Sequence, residues 1–232
     1  MSCAGTGNCV AAGSTRAGVA MVSEQVHGVW QPAHQVPGLA ALNPGGYSAI
    51  GVLSCSAAGW CVAAGTSWKP PKSFPNGRKS VPFVVIEHNG AWHKAQRIPG
   101  VLALNHGWLA IISAISCDSV GTCTAGGTYR DRAVDALRPF VVSEHRGAWK
   151  PARAIAGVTA LPQAASSGNS GIGVMSRSSP GNCTAAGGYG TAKYESLPFV
   201  VAEKNGSWGR AQSLPGAIPS SQRYDQSAIT GL

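Results

Sequence analysis

One pattern is written four times along this chain of 232 residues, and it limits the possible folds more than any single residue does. A copy runs Cys, five residues, Cys, a stretch of small residues and a variable segment. A Phe-Val-Val-x-Glu-like strand follows, then a turn ending in Gly, one residue, and Trp. The copies begin at Cys3, Cys55, Cys117 and Arg177, giving a period of 52, 62 and 60 residues. Their acids align as Glu24, Glu87, Glu144 and Glu203, and their indoles as Trp30, Trp92, Trp149 and Trp208. A period of that length marks one supersecondary unit that cannot bury its apolar face alone and must stack on its neighbours.

Each copy reads as four strands. In the third, strand A covers 109–117, strand B 123–129, strand C 139–145 and strand D 148–155. The C–D turn is Asn89-Gly90, Arg146-Gly147 or Asn205-Gly206, and Asn-Gly supplies the positive φ pair of a type I′ hairpin. The first copy carries an extra residue at Val26-His27-Gly28, read as a bulge or three-residue loop. The 31 Gly and 15 Pro suit many short strands and tight turns rather than long helices. No window holds the roughly 20 apolar residues that cross a bilayer as a helix. The expected fold class is all-β: a β-propeller of four four-stranded antiparallel blades, with the repeat Trp packing blade on blade.

The tail, Tyr224 to Leu232, parallels strand A at Tyr47–Leu53 and at Ser170–Met175, so the last strand is expected to complete the first blade and remove its open edge. Residues 1–232 then form a single domain, with repeats at about 1–46 plus 224–232, 47–107, 108–168 and 169–223.

Six of the seven cysteines fall into the pairs Cys3/Cys9, Cys55/Cys61 and Cys117/Cys123. Strands flanking each five-residue turn bring the two thiols face to face, within the roughly 4.4–6.8 Å Cα separation of a disulfide. Zinc would call for Cys-x2-4-Cys with a matching second pair, so neither a metal nor a cofactor is expected. In the fourth copy Arg177 replaces the partner of Cys183, which is left as a free, buried thiol. Disulfides imply an oxidising compartment, extracellular or at the cell surface. Because Met1 and Ser2 run straight into Cys3, that placement implies a removed export signal or a segment of a longer secreted protein.

The formal net charge is +9, which attracts anionic glycans, cell-wall polymers or nucleic acid. No nucleic-acid-binding motif accompanies it, and specific nucleic-acid binding is not expected. The Cys-x5-Cys and Asn-Gly-x-Trp pattern resembles the repeats of secreted bacterial β-propeller proteins, and more weakly kelch repeats and the sialidase Asp-box. The resemblance spans essentially the whole chain, but on structural residues; it implies a fold and a secreted setting, not a reaction.

Loop variation points to a working face. The A–B turn keeps its length and the C–D turn nearly does, whereas the B–C and D–A connections vary and emerge on the opposite face, where binding residues usually lie. That face carries Tyr47, Trp68, Lys72, Arg78, His106, Trp108, Arg130, Arg132, Tyr194, Arg223 and Tyr224. Aromatic rings stack on sugar faces and Arg forks onto carboxylate or phosphate, so the expected role is non-catalytic recognition of a carbohydrate, an anionic polymer or a protein. The alternatives are a carbohydrate-active hydrolase or lyase of sialidase type, using Arg130, Arg132, Tyr194 and Glu195, and a structural spacer in a longer array. No nucleophile elbow, zinc-protease motif or phosphate loop occurs.

Overall fold

In a computed structural model of the chain, residues 1–69, 80–106, 109–193 and 195–217 are described. The fold is all-β. Four antiparallel sheets follow one another along the chain. The first comprises β1 (Ser2–Gly5), β2 (Asn8–Ser14), β3 (Ala20–Val26), β4 (Val29–Trp30) and β5 (His34–Gln35). The helical turn α1 (Leu39–Leu42) leads to the second: β6 (Tyr47–Ala57), β7 (Trp60–Trp68), β8 (Ser80–His88), β9 (Ala91–Trp92) and β10 (Gln96–Arg97). After α2 (Val101–Asn105) the third contains β11 (Ala110–Ser119), β12 (Thr122–Asp131), β13 (Ala136–His145), β14 (Ala148–Trp149) and β15 (Arg153–Ala154). The fourth contains β16 (Ser170–Ser179), β17 (Asn182–Gly190), β18 (Ser196–Lys204), β19 (Ser207–Trp208) and β20 (Gln212–Ser213).

The second, third and fourth sheets each have three long strands, the first has two long strands and the short β1, and in every sheet a fourth position is shared by two short segments. In the third sheet Glu144 pairs with Trp149 and Phe140 with Ala154, a register that slips by one residue between β14 and β15. Strand D is therefore interrupted rather than continuous over 148–155. The C–D turns are two-residue hairpins in all four sheets, with left-handed pairs at His27-Gly28, Asn89-Gly90, Arg146-Gly147 and Asn205-Gly206. The first sheet thus has no extra turn residue, contrary to the sequence reading. The register consequence is larger: Gln25, not Glu24, pairs with Trp30, as Glu87 pairs with Trp92. Successive side chains on a strand point to opposite faces, so Glu24 projects to the other side of its sheet from Glu87, Glu144 and Glu203.

The sheets stack face to face in chain order. Phe83 and Val85 of β8 pack on Ala20 and Val22 of the first sheet. Val84, between them, packs the other way, with Phe140 and Val142 of the third sheet. Val141 in turn joins Phe199 and Val201 of the fourth. Burial on both faces explains why the Phe-Val-Val runs show no polar alternation. We call the side toward the preceding sheet the leading face and the other the trailing face. Trp92, Trp149 and Trp208 pack at the three junctions, as their spacing suggests. The equivalent Trp30 is 45% exposed.

A hydroxyl–amide ladder stitches the A strands together. Ser2 Oγ accepts from the Cys55 amide at 3.0 Å, Ser54 Oγ from Cys117 at 3.0 Å, and Ser116 Oγ from Arg177 at 3.1 Å. The first sheet is incomplete among the described residues, because β1 reaches only as far as the Ser2–Val10 pair. A side chain on Gly65, Gly127 or Gly187 would strike the carbonyl of Ala49, Ile111 or Gly171 on the adjoining strand, whereas Gly13 faces open space. The closing strand expected from 224–232 lies outside the described residues.

Candidate functional site

The turns segregate as the loop lengths imply. On one rim the C–D turn amides of Gly28, Gly90, Gly147 and Gly206 donate to the A–B turn carbonyls of Gly7, Gly59, Gly121 and Gly181. On the other rim the described residues between strands B and C touch the start of the next strand A. The Ser48 amide donates to Gly18 O at 2.7 Å, the Ser80 hydroxyl to Ala110 O at 2.8 Å, and the Leu137 amide to Asn169 Oδ1 at 2.9 Å. Within the third sheet the Arg130 amide donates to Leu109 O at 2.8 Å. Arg138, nearly buried, donates to the carbonyls of Gly168 and Ser166 and fixes the third D–A connection.

Two of the sequence-derived site residues meet directly on that second rim. Tyr47 and Trp68 are register partners on β6 and β7, and their rings stack with centroids 6.1 Å apart and planes 28° from parallel. Gly18, with φ +74°, makes room for the pair: a Cβ there would collide with the Tyr47 ring. Tyr47 stays 39% exposed. Beside Trp68 opens a groove of about 290 Å³ between the second and third sheets, lined by Thr66, Ser80, Leu109, Ile111 and Ala49. Ser80 Oγ exchanges hydrogen bonds with the Ala110 backbone, so it serves the sheet junction rather than the groove. Arg130 continues β12 past the backbone bond to Leu109, and its guanidinium grips Asp135 through Nε at 3.0 Å and Nη2 at 2.6 Å.

His106 caps α2 in a left-handed conformation and is exposed. Arg132 is exposed on the same loop as Arg130. Lys72, Arg78, Trp108, Tyr194, Arg223 and Tyr224 lie outside the described residues. The rim carboxylates are locally engaged: Asp131 accepts from the Ala133 amide, Asp135 holds Arg130, and Glu195 accepts from Thr191. Among the described residues no cluster of His, Cys, Asp and Glu could hold a metal ion.

The cysteines pair as the sequence implies, as Cys3–Cys9, Cys55–Cys61 and Cys117–Cys123. Their Cα separations of 3.9, 4.0 and 4.1 Å fall below the expected window because each pair sits directly opposed in its hairpin register. Cys183 is free and buried. Burial, reinforced by the nearby Glu203, pushes its thiol up to about 12, so it carries almost no reactive thiolate at neutral pH.

Where the fourth bridge would be, a buried ionic knot stands instead. Arg177 Nε lies 3.1 Å from Asp118 Oδ1 of the third sheet, Nη1 lies 3.6 Å from Glu203 Oε2, and the same guanidinium donates to Thr124 Oγ1. The Arg177 side chain is only 3% exposed. Sequence reasoning noticed the lost Cys but not the knot, because Asp118 and Arg177 are remote in sequence and neither carries a local signal.

One trailing-face position varies and sets the polarity of each junction. It is Glu24 in the first sheet, where the carboxylate accepts from Trp92 Nε1 and lies 3.2 Å from His34 Nε2. It is Ser143 in the third, bonded to Glu203 Oε1 at 3.2 Å. In the second sheet it is Ile86, and there both Glu144 oxygens and Trp149 Nε1 lack a hydrogen-bond partner. Burial raises the Glu144 carboxyl to about 7 against a lowering pull from Arg177. Glu87 is raised as well, by burial and then by Glu24. Set against known proteins, the chain matches no family model and no curated protein.

Proposed function

We propose that the four stacked sheets are blades of a β-propeller and that the chain is a secreted, non-catalytic recognition module for carbohydrate or an anionic polymer. The ligand-binding surface is the rim of B–C and D–A loops. The observation that carries this reading is the Tyr47–Trp68 ring pair, held by Gly18 at the mouth of an open groove with Arg130 on the neighbouring strand. A flat aromatic pair beside apolar walls stacks on a sugar face, and the excess of Lys and Arg draws acidic chains toward it. The three disulfides suit an oxidising compartment. Among the described residues β1 pairs with β2 only as far as Val10, and the stretch of β2 beyond it suits a strand with the sequence of 227–232, Ser-Ala-Ile-Thr-Gly-Leu, which parallels Ser48 to Leu53.

A glycan array spanning neutral, uronic-acid and sulfated chains tests the assignment, followed by titration of each hit. Trp68→Ala is expected to weaken binding about tenfold, the ~1.4 kcal/mol at the upper end of a well-packed aromatic contact, and to leave the circular dichroism spectrum unchanged. Binding that is unchanged in Trp68→Ala, or an array with no hit of either class, refutes it.

A further inference from the structure

The carboxylates and the cations of this chain are sorted onto different parts of the stack. Of the nine acids in the sequence, Glu87, Glu144, Glu203 and Asp118 are drawn into the sheet junctions, and Glu24 accepts from Trp92 Nε1 beside His34. Asp131, Asp135 and Glu195 lie on the loop rim, each engaged locally. Only Asp225 falls outside the described residues.

The outer edge of the stack is left to the cations. There the segments that follow Trp92, Trp149 and Trp208 carry β10, β15 and β20, and each is tied to the turn after the preceding sheet. The Ala95 amide donates to Pro37 O at 2.8 Å, the Ala152 amide to Pro99 O at 2.8 Å and the Ala211 amide to Ala156 O at 2.9 Å. These bonds run the three segments into one belt across the junctions. Lys94, Arg97, Lys150, Arg153 and Arg210 stand along it, all exposed. Arg97 reaches back over the first junction to donate to Leu42 O at 2.9 Å, and the Arg210 arm lies against Gly157 at the third. None of the five has a carboxylate partner among the described residues, and Asp225 alone can neutralise at most one of them. On the loop rim, by contrast, Arg130 is already paired with Asp135.

We infer that this belt is a binding surface for a sulfated polysaccharide chain. A row of unpaired cations in a region without free carboxylates holds a positive potential that recruits a polyanion. The row is sparse, one or two cations per sheet with sheets stacked roughly 10 Å apart. Such spacing suits charges carried a sugar or two apart, and not the close-set phosphates of a duplex, about one per 1.7 Å of axis. Single-stranded nucleic acid would need rings to stack upon, and Trp92, Trp149 and Trp208 are packed in the junctions beneath the belt. The Arg forks take two oxygens of one sulfate as they take two of a phosphate. The belt includes neither Tyr47 nor Trp68, so it is independent of what the loop rim binds, and each reading can fail while the other stands.

Calorimetric titration with a heparin octasaccharide, at about 50 mM and about 200 mM salt, reads the outcome. The wild type is expected to bind and to lose affinity steeply with salt. The triple variant Lys150→Gln, Arg153→Gln, Arg210→Gln is expected to bind at least about tenfold more weakly at the lower salt and with a shallower salt slope, its circular dichroism unchanged. A control carrying Arg16→Gln, Lys69→Gln and Lys193→Gln loses the same three charges at exposed sites away from the belt and is expected to bind like the wild type. Trp68→Ala is expected to do the same. The inference is overturned by a wild type that does not bind, by equal weakening in the belt variant and the control, or by loss of binding in Trp68→Ala. Chemically desulfated heparin binding as tightly, or a DNA duplex binding the belt more tightly than heparin, overturns it as well.

Discussion

Arg177→Met is expected to destabilise the folded chain by about 3–5 kcal/mol, the cost of leaving buried carboxylates without their cation. Asp118 and Glu203 both face the guanidinium, one from the third sheet and one from the fourth, and the residue sits inside the junction rather than at its rim. Methionine keeps most of the volume, so the loss reports charge rather than packing. Urea unfolding measures it as a lower midpoint. Adding Asp118→Asn and Glu203→Gln to Arg177→Met is expected to recover most of the stability, since a neutral junction no longer needs a cation. A loss below about 1 kcal/mol, the range of exposed ion pairs, would show that the knot is hydrated and contributes little.

The second large effect is a pH dependence centred on Glu144. Its carboxyl is held at about 7 by burial, above the ordinary glutamate value of 4.5, so between those limits the folded chain binds this proton more tightly than the unfolded chain does. Stability is therefore fully present below the unfolded value, falls as pH rises through the folded value, and is level above it. The span corresponds to a loss on the order of 3 kcal/mol. Glu144→Gln removes the titration. The variant is expected to match the wild type near pH 4.5 and to be the more stable of the two, by on the order of 2–3 kcal/mol, at pH 8. Urea midpoints at the two pH values decide it, and identical profiles for variant and wild type would refute the assignment. The origin is the neighbouring Ile86. At the equivalent position Ser143 gives Glu203 a hydrogen bond, and Ile86 has none to give.

Much of the architecture was legible because it is written in local chemistry. The Cys-x5-Cys spacing specified three hairpin bridges, and Asn-Gly specified the tight turns. The Phe-Val-Val runs marked strand C, and the Trp positions marked the junctions. Where the reading failed, a local similarity hid a register. Glu24 sits one residue short of the position held by Glu87, and His27-Gly28 does not look like Asn89-Gly90, although it adopts the same left-handed pair. The adjacent Glu was taken for the missing one.

The helical turns α1 and α2 and the 3-10 turn at Val158–Ala160 were also missed. Each follows a left-handed glycine, at Gly38, Gly100 and Gly157, in a recurring Gly-[Leu/Val]-x-Ala-Leu phrase that the longer repeat obscured. The Arg177 knot was beyond reach, because its partners come from another sheet. Of the rim residues, Tyr47 and Trp68 are brought together by strand register, a pairing the sequence analysis did not draw, and loop side chains are placed by contacts that no periodicity encodes.

The account rests on four sheets lying side by side in chain order, each buried between its neighbours. Electron–electron distances between spin labels test that arrangement most directly. Suitable sites are the exposed residues just past each C–D turn: Val29, Ala91, Ala148 and Ser207. Labelled in pairs and diluted with unlabelled chain, sheets adjacent in sequence are expected to give the shortest and nearly equal distances, and sheets two apart a clearly longer one. A pair such as Val29 and Ala148 lying closer than Val29 and Ala91 would contradict the stacking order, and with it every junction described above.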